Sequence, residues 1–413
     1  MSRHGGSVFP RLGRVHELSV FGTTVLVTAS GLTVALLTSK VSARLRVPGP
    51  VVFLVAAALA TWLWPRLDAV SVRAVERVGV VALIVILFDG GMQVGVRRFR
   101  EAAVPILSLG FAGTLATAAV LAGAAHWLLG FSWTASGLLG AALAPTDPAV
   151  MFSVLGDRDV GGRARTILEG ESGVNDPVGI SLTIGLLELA KHADGSAWTV
   201  VSQFAIQMSV GAAAGICGGL LLVRGLRSIT LPSDALHPLR TLAGAGVIYG
   251  IAAVLHGSGF LAVFVAGILL GDADVPHRKG IVRFHTSLAS LAEIVVFAAL
   301  GVTIHLADLH SGRLWAEAAV LGATLAFVAR PLVVGPLLLP SRLSRGERLF
   351  VMWSGLKGAV PILLGTLVLL GGVADARRIY DIVFLVVAAS VLVQGTSVPF
   401  AARRLNVPVS GAD

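Results

Sequence analysis

The segment Gly170-Glu171-Ser172-Gly173-Val174-Asn175-Asp176-Pro177 sets two carboxylates, a hydroxyl and an amide within an otherwise apolar run, 164–190. At about 3.6 residues per turn, Glu171 and Asn175 share a helical face and Asp176 lies beside it. A carboxylate removed from water must find a proton, a metal cation or a cationic side chain. With a hydroxyl, an amide oxygen and freed carbonyls nearby, it also makes a hard oxygen site for a small cation. A site that holds either a proton or a cation, but not both, is the minimal device for antiport. The purely structural reading makes Asp176-Pro177 a cap at a kink.

Two further segments carry polar chemistry inside apolar runs. Ala144-Pro145-Thr146-Asp147-Pro148 interrupts 133–155, and Ser354-Gly355-Leu356-Lys357-Gly358-Ala359-Val360-Pro361 interrupts 347–370. Each proline lacks an N–H and disfavours helix at the residue before it. Both runs should therefore open near their middles. An anion such as Asp147 suits the positive N-terminal ends so created, and Lys357 the negative C-terminal ends. Asp147 before Pro148 is also a plain N-cap, and capping does not exclude binding. With Asp89, Glu293 and Arg330, seven ionisable residues in six apolar runs stand out, which points to a polar centre inside a helical bundle.

The positioning elements follow from hydropathy. Charged residues are 13% of the 413, and apolar residues 55%, where a soluble domain carries about 25% charged. Apolar segments fall at 18–39, 48–64, 78–96, 103–129, 133–155, 164–190, 197–223, 239–256, 259–272, 284–308, 314–339, 347–370 and 380–402. This predicts an all-α polytopic membrane protein of thirteen helices, because a lone strand cannot satisfy its backbone in lipid. The whole chain, 1–413, is expected to form one integral membrane unit with no soluble domain. The first run is too long for a signal-peptide core and is expected to remain as a span. Spans five and twelve correspond if 1–6 and 8–13 are repeats about a connecting seventh, and paired broken helices point to a transporter site.

Twenty of the 32 lysines and arginines fall in the loops and tail on the side of the C-terminus, ten fall on the opposite side, and Arg330 and Lys357 lie within spans. That bias predicts an external N-terminus and a cytoplasmic C-terminus. The basic residues form no stripe with interleaved aromatics, so nucleic acid is not an expected partner. The lone Cys217 allows no intrachain disulfide.

The sequence resembles the sodium/proton antiporter family that includes the NhaP-type bacterial exchangers and the mammalian sodium/hydrogen exchangers. The resemblance rests on Gly-Glu-Ser-x-x-Asn-Asp-Pro at 170–177, Pro-Thr-Asp-Pro at 145–148 and Leu-Phe-Asp-Gly-Gly at 87–91. It extends to Glu293 with Phe297 through Gly301, Ala329-Arg330 and Gly-Leu-Lys-Gly-Ala at 355–359. It implies two inverted repeats with crossed broken helices, a core domain of spans 3–6 and 10–13, and a dimerisation domain from the rest. Asp176 is then the shared proton/cation carboxylate, with Thr146, Asp147, Asn175 and Ser172 around a Na+ or K+ ion. Glu171 pairs with Arg330, Lys357 and Asp147 compensate helix dipoles, and Asp89 and Glu293 are secondary candidates. Asn before Asp implies electroneutral exchange, and no cofactor is implied. A homodimer in the plasma membrane, serving pH homeostasis, is expected. Lys357 stands where the family usually has arginine, a point charge in place of a planar fork. Some variants look like the potassium/proton branch, so Na+ and K+ both stay open. The sequence ends at Asp413, so regulation through the C-terminal domain of some relatives is not expected.

Smaller signals have blander readings. Gly211, Gly215 and Gly219 suggest close packing inside the bundle rather than a dimer seam. His256 and His285 fall near span ends and read as interfacial, and His277-Arg278-Lys279 as a cytoplasmic loop. A rival reading makes Ser172 and His256 the dyad of an intramembrane serine protease, which requires hydrogen-bond contact between them. A channel is a third reading, but no selectivity-filter-like run is present.

Overall fold

The structure is a computed structural model that describes Thr33 and residues 48–63, 70–155, 159–191 and 196–410. The expected first span, 18–39, lies outside the described residues apart from Thr33. Each later span overlaps one helix or one interrupted pair. The chain runs α1 (Gly49–Leu63), α2 (Val72–Glu101), α3 (Ala103–Leu129), α4 (Trp133–Leu143), α5 (Pro148–Leu155), α6 (Gly162–Lys191) and α7 (Ala197–Ser228). It continues through α8 (Leu236–Val254), α9 (Gly259–Gly271), α10 (Arg278–Val302), α11 (Gly312–Leu337), α12 (Arg345–Trp353), α13 (Ala359–Gly371) and α14 (Ala376–Arg404). Six of the described helices, α2, α3, α7, α10, α11 and α14, are long and apolar enough to cross a membrane. Extended pairing is confined, among the described residues, to Asp159–Val160 against Val409–Ser410, antiparallel.

Local sequence sets the ends. Ser71 and Ser132 cap α2 and α4, their hydroxyls accepting the N–H groups of Ala74 and Ala135, both at 3.2 Å. Gly130 closes α3 in the left-handed conformation, φ +73°. Span five does open: α4 ends at Leu143 and α5 begins at Pro148. Span twelve opens likewise between Trp353 and Ala359. The prolines behave unequally, however. Pro177 leaves α6 continuous from Gly162 to Lys191, whereas Pro331 sits in a π-helical stretch of α11, Leu325–Val334. Span eleven reads as an ordinary helix in the sequence. The wider turns absorb the missing N–H of Pro331, and Arg330 lies within them.

Small residues decide the packing of the first bundle. On α7, a methyl at Gly211 or Gly215 would stand 2.6 Å from the carbonyl oxygen of Ser258 or Ala262, at and within α9. The glycine face is therefore used inside the bundle. On its other side α9 interlocks with α2: a methyl at Gly91 would meet the Phe264 carbonyl, and one at Gly267 the Phe88 carbonyl. Such backbone approach is the packing mode available where lipid removes the hydrophobic drive between helices. α10 packs on α1 and α2, while α13 packs on α14 and also touches α4, α6 and α2.

Candidate functional site

The two breaks touch. The N–H of Asp147 donates to the Leu356 carbonyl at 2.8 Å. The Nζ of Lys357, fully buried, donates to the carbonyls of Ala144 and Pro145 at 2.9 and 2.8 Å. Those carbonyls lie just beyond the last turn of α4, where a helix presents unpaired acceptors and partial negative charge. A lysine ammonium suits this place because it needs three acceptors in no fixed plane.

Asp147 sits at the opposite polarity. Its Oδ1 accepts the Ala149 N–H at 2.8 Å, capping the first turn of α5. A Cβ on Gly358 would overlap the Asp147 carboxylate, so this carboxylate also lies against the N-terminus of α13. One anion thus serves two positive helix ends.

From α6, Asn175 fastens that helix to the first break. Its Nδ2 donates to the Thr146 hydroxyl at 2.8 Å, and its Oδ1 accepts the Thr146 N–H at 3.4 Å. Glu171 meets Arg330 at 2.8 Å with both side chains 4% exposed. The guanidinium also donates to the carbonyls of Met352 and Val351, the C-terminal end of α12, at 3.2 and 2.9 Å. A Cβ on Gly355 would run into that guanidinium. Arg330 therefore neutralises a carboxylate and a helix end together.

Asp176 is left to the cavity. It is 5% exposed, and its Oδ1 is buried without a hydrogen-bond partner in the structure. The cavity, about 290 Å³, is lined by Asp147 and Ala149 from the break, by Glu169, Ser172, Gly173 and Asp176 along α6, and by Asp89 and Gln93 of α2. Thr286, Ser290 and Glu293 of α10 and Arg165 of α6 add to the polar lining, with Phe152, Phe264 and Phe297 among the apolar walls. Asp89 accepts from Gln93 Nε2 at 2.6 Å and from the Thr286 hydroxyl at 3.1 Å. Glu293 carries a second buried oxygen, Oε1, without a partner. Thr146 is not among the lining residues; its hydroxyl is engaged by Asn175.

Several lining groups were not singled out in the sequence. Glu169 lies seven residues before Asp176, on the same helical stripe, and pairs with Arg165 at 2.6 Å. Gln93, Thr286 and Ser290 are single polar residues at helical spacing from Asp89 or Glu293. The i, i+4 step from Asp89 to Gln93 and the i, i+7 step from Thr286 to Glu293 were available signals.

The histidines differ from expectation in one case. His285 is fully buried, not interfacial: its Nε2 is 2.7 Å from the Thr241 hydroxyl, which itself donates to the Pro238 carbonyl. The packing of α8 and α2 on α10 creates that environment, with the Phe88 ring centre 5.1 Å from that of His285. His256 is exposed in the turn between α8 and α9 and lines a cavity distinct from the one that holds Ser172. The Ser172–His256 dyad is not supported.

An acidic cavity at the meeting point of two interrupted helices in an all-helical bundle is the kind of site that a polytopic carrier of cations needs. The transmembrane model of the sodium/hydrogen exchanger family matches residues 31–404, and the chain belongs to that family. It is 35% identical to a K+/H+ antiporter NhaP of Alkalimonas amylolytica, over 96% of this chain and 70% of that protein. It is 34% identical to a K+/H+ antiporter NhaP2 of Shewanella sp. strain MR-4, over 91% of this chain and 65% of that one. The chain therefore spans roughly two thirds of these relatives' length. The fold resembles the sodium proton antiporter MjNhaP1 of Methanocaldococcus jannaschii, with TM-score 0.75 and 25% identity, covering 91% of this chain and 99% of that structure.

Proposed function

We propose that the protein exchanges a monovalent cation, Na+ or K+, for a proton across the membrane, with Asp176 as the shared carboxylate. The observation that carries this reading is the unpartnered, buried Oδ1 of Asp176 in a cavity with other oxygen donors. Asp147 and Ser172 supply further oxygens. Pro177 offers no N–H to the Gly173 carbonyl, so that oxygen is also available beside Asp176. Asn175 and Thr146 act by holding α6 to the break. A cation enters when Asp176 loses its proton and leaves when the proton returns, which makes the exchange electroneutral if one charge replaces one.

The protein is read as a transporter, not an enzyme, with thirteen spans in two inverted repeats whose broken helices cross. The contacts of Asp147 and Lys357 across the two breaks support that arrangement. Where the resemblance implies a core of spans 3–6 and 10–13, the division proposed here sets α2 and α10, spans 3 and 10, beside α7 to α9 instead, on the strength of the glycine interlock and of the α10 packing. α3 to α6 and α11 to α14 then form the moving core, and the cavity lies on the boundary. A homodimer in the plasma membrane, with its N-terminus outside and its C-terminus in the cytoplasm, completes the reading.

The test is the purified full chain in liposomes with an internal pH-sensitive dye, with Na+, K+ and Li+ added in turn at several pH values. At least one cation should collapse an imposed pH gradient. Proton movement that no cation stimulates would end the proposal. In the same assay Ser172→Ala should keep most of the exchange, because Ser172 contributes one neutral oxygen among several. Complete loss of exchange, with a peptide-cleaving activity lost alongside it, would instead revive the dyad.

A further inference from the structure

A second hollow, about 520 Å³, opens where the C-terminal end of α2 meets the N-terminal end of α6. Its lining includes Arg97, Arg98, Arg163 and Arg165, together with Glu101 and Thr166. We propose that this hollow binds a phosphate-bearing anion, either the headgroup of an acidic phospholipid or free phosphate.

Four guanidinium groups around one concavity repel one another unless an anion answers them. Arg165 is paired with Glu169. Among the described residues, no carboxylate lies within ion-pair distance of Arg97, Arg98 or Arg163. Glu101, in the lining, is exposed. The carboxylate of Asp272 accepts the backbone N–H of Arg97 at 2.7 Å and does not bridge its guanidinium. Arg163 is held inward by its Nη2, which donates to the Glu101 carbonyl at 2.7 Å, while its Nε is buried with no partner. An inward-held guanidinium with an unused donor lacks, among the described residues, the acceptor that would complete it.

Positive-inside anchoring explains why arginines lie on this face. It does not explain why they converge on a concavity and bury a donor there. Arginine forks match the geometry of phosphate oxygens, and basic pockets between membrane helices at the cytoplasmic surface suit anionic headgroups. The hollow also adjoins the cation cavity. Arg165 lines both, with its guanidinium 4.7 Å from the centre of the Phe152 ring on the cavity side. An anion in the hollow offsets positive charge beside the route to Asp176, so cations approach against a weaker opposing field. That consequence rests on the antiport reading; the binding itself does not.

The experiment titrates the detergent-solubilised full chain with phosphatidylglycerol, phosphatidylcholine and inorganic phosphate at constant ionic strength, and reads melting temperature. A rise with phosphatidylglycerol alone assigns the site to a lipid headgroup, and a rise with phosphate assigns it to a free anion. In either case Arg163→Gln and Arg98→Gln should need about tenfold more anion for the same rise, the loss of one charge-assisted hydrogen bond. Arg345→Gln, on the same face but outside the hollow, should behave as the parent. Arg98 is exposed, so Arg98→Gln keeps the test open if Arg163→Gln does not fold. Absence of any anion-specific rise, or a rise untouched by both hollow variants, overturns the proposal. In proteoliposomes, phosphatidylglycerol should also lower the KM for the cation in the parent and not in Arg98→Gln. Binding without that change would leave the site in place and separate it from transport.

Discussion

Asp176→Asn should reduce cation-driven collapse of a pH gradient to the level of empty vesicles, while the protein still folds. The amide matches the carboxyl in shape but carries no charge for a metal ion and exchanges no proton near neutral pH. The neighbours do not depend on residue 176 for their own bonds. Asn175 is fastened to Thr146, Glu171 to Arg330 and Lys357 to the α4 carbonyls. Melting temperature should therefore stay near that of the parent or rise, since a buried carboxyl without a partner is removed. Asp176→Glu keeps the charge but shifts it by one methylene within a cavity of about 290 Å³, so partial exchange at a higher KM is expected. Exchange by Asp176→Asn at a rate comparable to the parent would move the mechanism elsewhere, with Glu293 the first alternative because it too has an unpartnered buried oxygen.

The second large effect concerns Glu171 and Arg330. Removing one member of a buried pair typically costs about 3–5 kcal/mol, because the survivor is left charged and uncompensated. Here the two single changes should differ. In Glu171→Gln, Arg330 still donates to the Met352 and Val351 carbonyls and can donate to the new amide. In Arg330→Gln, the carboxylate loses its only ion-pair partner among the described residues, and the end of α12 loses its cation. The expected order of melting temperature is parent, then Glu171→Gln, with Arg330→Gln lowest. The double change should lie above Arg330→Gln alone, since the stranded charge is gone. Strictly additive losses in the double variant would count against coupling between the two side chains.

Much of the site was legible because membrane interiors tolerate so few ionisable groups. The breaks at 144–147 and 354–358 could be placed because helix-breaking residues cluster there, Pro145 and Pro148 at the first and Gly355, Gly358 and Pro361 in or just after the second. Asp176, Asp147 and Lys357 stood out for the same reason. Glu169 carries no distinguishing mark in the sequence, because with Arg165 one turn earlier it has the spacing of an ordinary i, i+4 surface pair. The burial of His285 is not legible in the sequence, because its partner Thr241 lies 44 residues away on another helix. Pro177 and Pro331 illustrate the same limit: identical local chemistry gives an unbroken α-helix in one case and a π-helical stretch in the other.

The sequence by itself determined that the chain is a bundle of apolar helices, which two of them are interrupted, and which acidic groups must answer for being there. Those properties follow from transfer out of water and from backbone hydrogen bonding, and both act within one segment. Only the tertiary structure decided that Asp147 stands between two helix N-termini, that Arg330 serves a carboxylate and the end of α12 at once, and that Asp176 turns to the cavity with a buried oxygen unpartnered while Glu171 and Asn175 of its motif are engaged elsewhere. These depend on how closely backbones from distant segments approach, and that distance is set by side-chain volumes on both partners together.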